Sequence, residues 1–248
     1  MATVQSPSSS FMLTGKQIAC SSATYFCQTL NENSLASNVI SLVLDGNLLK
    51  HRGLNTLIGD FLSTPAAANL RGLDLSDNLL ERKCVQPLAR YLASAHCQLE
   101  TLLLSSNELG AHVATMMPSI RTRAQGGMLC ALDLSDVNLG DDGALAVSEC
   151  IISSAMALRS LNIDHNAVTD TGGGMLVRVI IRDYRGALLY LSLANNKLTN
   201  STAEKYLDGI IASEGNNGGA CFLELKGNSI DESLIKSIGL HRSLAGAV

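Results

Sequence analysis

The stretch LRGLDLSDNLL, Leu70 to Leu80, puts apolar side chains at its first, fourth, sixth and eleventh positions and Asn at its ninth. The spacing returns in VISLVLDGNLL (Val39 to Leu49), LETLLLSSNEL (Leu99 to Leu109), LCALDLSDVNL (Leu129 to Leu139), LRSLNIDHNAV (Leu158 to Val168), LLYLSLANNKL (Leu188 to Leu198) and ACFLELKGNSI (Ala220 to Ile230). A pattern returning about every thirty residues marks a chain of stacked units. The fourth and sixth positions, such as Leu73 and Leu75, stand two apart, so on a strand they share one side while the residues between and beside them take the other. Past the eleventh position the apolar spacing lengthens to three and four, as in Leu54, Leu57, Ile58, Phe61 and Leu62, and more loosely in Leu145, Val147, Ile151 and Ile152. Strand and helix therefore alternate, and neither buries its apolar face until the next unit stacks on it.

In this spacing the chain resembles the leucine-rich-repeat superfamily, and its long, half-helical period is similar to the ribonuclease-inhibitor-like subclass. The resemblance implies an α/β fold: a right-handed leucine-rich-repeat solenoid, or horseshoe, with parallel strands on the concave face and helices on the convex face. One domain is expected over residues 10–248: a degenerate capping repeat over 10–38, seven repeat strands over 39–230, and a C-terminal helix and tail over 231–248. In the capping repeat Phe11, Leu13 and Ile18 fit the fourth, sixth and eleventh positions, with Lys16 where Asn would stand. Residues 1–9, rich in Ser and without an apolar run, read as a flexible tail.

A buried ninth-position amide both donates to and accepts from backbone groups where the chain leaves the strand. Asn47, Asn78, Asn107, Asn166, Asn196 and Asn228 are therefore expected to form a structural ladder. Val137 takes that place in the fourth unit with Asn138 after it, so that either the ladder has a gap or the turn is rearranged. Ser201 and Glu204 have the spacing of a capping box. Gly172, Gly173 and Gly174 read as a loop, because interior glycines weaken a helix. Pro87 and Pro118 should start or shorten their helices.

Charged residues make up 16% of the 248-residue chain and the formal net charge is −4, which argues against nucleic acid as the main partner. No long apolar run suggests a membrane span and no signal segment is seen. Seven scattered Cys read as reduced core thiols. The expected location is cytoplasmic, with a cytoskeletal or ciliary assembly as one setting that the family resemblance implies. The Asn200-Ser201-Thr202 sequon then reads as an incidental helix cap.

No paired carboxylate, Ser or Cys accompanies the five His, and no phosphate-binding loop or metal-ligand spacing appears. No catalytic residue, metal or cofactor is expected, and no small-molecule substrate. The outward strand positions are the natural binding array. Asp74, Asp133 and Asp164 make its first five repeats acidic, suited to a protein partner with a basic surface. At the third position small residues give way to Tyr190 and Phe222 in the last two repeats, a candidate anchor. A non-catalytic scaffold or adaptor follows. The alternative is a regulator of another enzyme, resembling Ran GTPase-activating proteins, for which Arg52 is the nearest Arg, or ribonuclease inhibitor itself. A sensor fragment of the innate-immune kind is disfavoured, since no nucleotide-binding domain accompanies the repeats.

Overall fold

A computed structural model describes residues 9–15, 18–32, 39–120, 129–153, 158–179, 188–213 and 221–245. Eight parallel strands form one sheet in chain order: β1 (Ser9–Met12), β2 (Val39–Val43), β3 (Gly72–Asp74), β4 (Thr101–Leu103), β5 (Ala131–Asp133), β6 (Ser160–Asn162), β7 (Tyr190–Ser192) and β8 (Phe222–Glu224). Helical segments return the chain from each strand to the next, giving the leucine-rich-repeat horseshoe. Fourth- and sixth-position side chains from Leu42 and Leu44 through Leu223 and Leu225 are all buried, as are the eleventh-position residues Leu49, Leu80, Leu109, Leu139, Val168 and Leu198. Each such side chain is worth about 1.5–3 kcal/mol of transfer from water, so the core is one continuous apolar rod. Lys16 and the segments 1–8 and 246–248 lie outside the described residues. Ser9, expected in the tail, instead opens β1 opposite Val39.

The ninth-position amides do form a ladder. The Asn166 Oδ1 accepts from the backbone N–H of Val137 and Leu139 at 3.1 and 2.9 Å, while its Nδ2 donates to the Leu134 and Asp164 carbonyls. Asn107, Asn196 and Asn228 make the equivalent bonds to the turn before their own. At the N-terminal end the Asn47 Oδ1 accepts from Ile18. Two rungs differ. Asn78 donates to Leu44 and Ser76 carbonyls, but its buried Oδ1 has no partner among the described residues. Val137 is fully buried and keeps the turn's backbone bond, with Gly110 N–H donating to its carbonyl, so the ladder has a gap while the turn is conserved.

The eighth position carries a second local rule. Gly46, Asp77, Ser106, Asp136, His165, Asn195 and Gly227 all have positive φ, between 47° and 76°. That left-handed step suits Gly, Asp, Asn and His, and it turns the chain off the strand so that the following Asn points inward.

On the convex side α1 (Ala23–Glu32) and α2 (Lys50–Leu57) are followed by α3 (Val85–Ala93), α4 (Gly140–Ser153), α5 (Asp170–Arg178), α6 (Asn200–Ser213) and α7 (Glu232–Ala245). Pro87 sits in the first turn of α3, where its missing N–H costs nothing. The third repeat has a 3₁₀ helix, Gly110–Ser119, with Pro118 near its end.

The expected loop at Gly172–Gly174 is wrong: all three lie inside α5. A Cβ on Gly172 would come within 2.9 Å of Ala144 Cβ, and one on Gly173 within 2.5 Å of Leu198 Cδ2. Close approach of α5 to its neighbours therefore selects glycine, and packing overrides the propensity cost. The start of α6 also differs from the capping-box reading. Ser201 is inside the helix, and its N–H donates to the Thr199 hydroxyl at 3.3 Å.

Candidate functional site

Strand register arranges the outward side chains in rows. The third-position row runs Ser41, Gly72, Thr101, Ala131, Ser160, Tyr190 and Phe222, each the direct partner of the next. Five small residues make it shallow until Tyr190 and Phe222 rise from β7 and β8. Their rings stack with centroids 5.4 Å apart and planes 7° from parallel, and the residues stay 37% and 43% exposed. Neighbouring Leu189 is 53% exposed. Adjacent parallel strands hold the two Cα atoms about one strand spacing apart, so the sheet itself sets the stack. This brings Tyr190 and Phe222, the two residues expected to act as an anchor, together with Leu189 in an apolar patch.

The carboxylates divide into two groups. In the fifth-position row Leu103 separates Asp74 from Asp133. Asp74 belongs with Asp45 and Asp77. Burial raises the Asp45 carboxyl above its ordinary range, and the negative charges of Asp74 and Asp77 add to that. Asp133 accepts from the Ser135 N–H at 2.8 Å and from the Asn162 amide at 3.2 Å, and the Asn162 Oδ1 accepts from the Asp164 N–H at 3.0 Å. Asp164 in turn accepts from the Ala194 N–H at 2.7 Å. Burial is the main cause that raises the Asp164 carboxyl, with Asp133 adding to it. These carboxylates hold turns in place as well as charging the face. Asp74 is four strands from Tyr190, about 19 Å at the usual spacing, so it acts on a ligand there only through its field.

A further set of polar residues escaped the sequence reading. The Asp141 carboxylate accepts from the backbone and hydroxyl of Thr169 and from the Gly172 N–H. One repeat later Asp170 accepts from the backbone and hydroxyl of Thr199 and from the Thr202 hydroxyl. Another repeat on, Asn200 exchanges two bonds with Asp231, at 2.7 and 2.9 Å. Burial opposes ionisation of Asp170, but the Thr199 and Thr202 bonds outweigh it and hold the carboxyl below its ordinary range. The signal was present in the Asp and Asn residues two positions past the eleventh. These bonds, with Thr202 fully buried, occupy the Asn200-Ser201-Thr202 sequon as a helix cap.

None of the seven Cys is in a disulfide. Burial, with Asp60 nearby, pushes the Cys27 thiol up to about 11, and burial raises Cys84 and Cys150 as well. Such thiols are poor nucleophiles. The His165 ring contacts the Asn195 amide at 3.0 Å. Arg52 is an exposed residue within α2. Among the described residues no cluster of His, Cys, Asp or Glu could hold a metal, and no helix is long and apolar enough to cross a membrane.

No protein-family model matches the chain. Ribonuclease inhibitor of Sus scrofa is 30% identical over 146 residues, covering 59% of this chain and 31% of that protein. NACHT, LRR and PYD domains-containing protein 14 of Homo sapiens is 31% identical over 130 residues, covering 52% of this chain and 11% of that one. The chain thus spans under a third of the length of these curated relatives. A solved complex of TLR13 with ssRNA13 aligns over 81% of this chain and 28% of its own, at 14% identity and a TM-score of 0.45. Repeat spacing, register and these curated relatives make the chain a member of the leucine-rich-repeat superfamily, of the ribonuclease-inhibitor-like kind.

Proposed function

We propose that the protein is a non-catalytic scaffold or adaptor that holds a protein partner, rather than nucleic acid, a membrane or a small molecule, on its concave face. The observation that carries this is the exposed Tyr190–Phe222 stack at the end of a row of small residues. Rigid strands present two large side chains whose burial against a partner costs little conformational entropy, which is the make-up of a binding hot spot. Asp74, Asp133 and Asp164 give the approach an acidic field suited to a basic partner surface. The cytoplasm, within a cytoskeletal or ciliary assembly, is the setting we assign to this complex. Supporting it is a chain with 16% charged residues, a composition compatible with lasting burial.

The test takes a copurifying partner and compares variants by biolayer interferometry. Tyr190→Ala and Phe222→Ala should each speed dissociation at least tenfold. Asp133→Asn should slow association at low salt and leave dissociation nearly unchanged. If both aromatic variants, still folded, release the partner as slowly as the parent, the concave anchor is wrong. A second reading, regulation of an enzyme by the same face, is favoured by the ribonuclease-inhibitor relatives. Titration of a ribonuclease with the protein tests it directly: full activity at saturating protein rejects it for that enzyme.

A further inference from the structure

Tyr190 turns its two ring faces to different neighbours. Phe222 stacks on the face toward β8. Beside the other face the register partner is Ser160, and beyond it Ala131. Neither side chain is long enough to cover a ring, so the exposed part of Tyr190 is its rim and its β6-facing side. The sheet thus forms a step, an aromatic wall backed by Phe222 above a floor of short side chains.

A carboxylate stands at the edge of that floor. Asp133 follows Ala131 by two residues on β5 and so projects from the same face. Its Oδ1 accepts from the Ser135 N–H at 2.8 Å and hydroxyl at 2.7 Å, and its Oδ2 from the Asn162 amide at 3.2 Å. Three donors fix the group in place, yet a carboxylate has about four lone-pair sites and can take more. At the usual strand spacing and rise, the Cα atoms of Ser160 and Asp133 are about 8 Å apart. A flat group lying on the ring above Ser160 spans that gap toward the carboxylate. In the turn after β6, Asp164 adds a second negative charge on this side of the ring, against which stands the exposed Arg159 just before Ser160.

We propose that the partner delivers an arginine to this step, its guanidinium stacked on the β6-facing side of Tyr190 and hydrogen-bonded to Asp133. The inference rests on the concave-face anchor proposed as the protein's function. Each part of the step selects the group. A ring face favours a planar, weakly hydrated cation, so guanidinium suits it better than the compact, strongly hydrated ammonium of lysine. The fixed carboxylate accepts guanidinium N–H groups as charge-assisted bonds. An apolar ring stacks equally well but covers Asp133 without a donor in return, at a desolvation cost. An acidic side chain meets the like charges of Asp133 and Asp164.

The probe is N-acetyl-arginine amide, titrated into the nitrogen-15-labelled full chain while the backbone signals of Ser160 and Tyr190 are followed by NMR. Half-saturation is expected at about 10 mM or below, with N-acetyl-lysine amide weaker by at least about fivefold. Tyr190→Phe should keep the affinity for the arginine compound, whereas Tyr190→Leu and Asp133→Asn should each lower it by at least about fivefold. Asp133→Asn also disturbs the tie to Asn162, so its melting temperature is compared with the parent's, and Tyr190→Leu supplies an independent loss at an exposed position. Signals that stay unmoved at about 50 mM probe, an equal response to the lysine compound, or undiminished binding in both loss variants overturns the proposal. The anchor fails separately. A partner that Tyr190→Ala releases from a protein indifferent to the arginine compound keeps the anchor and refutes the arginine alone, while a partner indifferent to both Tyr190→Ala and Phe222→Ala removes both.

Discussion

The junctions between repeats from β5 onward and those before β5 follow one repeat pattern but are tied together differently. In the later turns every junction carries a full amide rung, through Asn166, Asn196 and Asn228, and a second set of ties runs through Asp141, Asp170 and Asn200. At the junctions before β5 Asn107 makes a full rung but Asn78 makes half of one, Val137 offers no amide to the β4 turn behind it, and the equivalents of Asp141 are His51, Arg82 and Ala111. The convex segments follow the same division, with a π turn at Ile58–Leu62 and a 3₁₀ helix at Gly110–Ser119 in the first half against α-helices α4 to α7 in the second. A short-range solenoid is only as stiff as its junctions. The comparison teaches that the aromatic stack stands on the better-tied half.

The largest effect that would break this comparison comes from the ladder. Asn166→Ala should cost about 3–4 kcal/mol, because it strands two buried N–H donors and the carbonyls its amide serves. Asn78→Ala, whose Oδ1 has no donor among the described residues, should cost at least about 1 kcal/mol less. Urea unfolding of both variants measures this, and equal losses would mean the two halves are not tied differently. Filling the gap is the complementary experiment. Val137→Asn should remain within about 1 kcal/mol of the parent, since the lost apolar contact is offset by an acceptor for the preceding turn.

Next in size are the glycines of α5. Gly173→Ala should destabilise by about 1–3 kcal/mol through overpacking against Leu198, despite the gain in helix propensity. Gly174→Ala meets just the flexible end of Lys205, at 3.3 Å, and should stabilise by about 0.5–1 kcal/mol. Opposite signs at adjacent positions would confirm that packing, not propensity, chose the first of these. Thermal melts suffice to read them.

A pH series sharpens the contrast between the carboxylates. The folded Asp170 carboxyl lies below its unfolded value, so its contribution is complete at neutral pH and is lost as pH falls from about 4 through the folded value. Asp170→Ala should therefore lower the neutral-pH melting temperature, with the difference from the parent closing in acid. Asp45 and Asp164 are raised, so their ionised forms carry a cost at neutral pH that is relieved as pH falls through their folded values. Asp45→Asn should leave stability at pH 7 unchanged or higher, and a clear loss would refute the sign. The smallest change is expected at Tyr190→Ala, about 1 kcal/mol or less, which keeps it usable as a binding probe.

Much of this architecture is legible in the chain itself, for a physical reason. A residue two places from its neighbour on a strand must share its face, so Leu73 and Leu75 declare the core side without any tertiary knowledge. The ninth-position Asn is equally readable, because a buried turn must satisfy its backbone, and the outward aromatics follow from the same phase. Gly172 and Gly173 were not readable as helix. Their role depends on how closely Ala144 and Leu198 approach, a distance between elements that no local pattern contains. Nor does spacing along the chain reveal that Leu103 divides the acidic row, that the Asn78 oxygen misses its rung, or that Asp141 reaches Thr169. Periodicity assigns each side chain to a face, whereas contacts between neighbouring turns depend on the offset and rotation of one repeat upon the next, which the packed core alone decides.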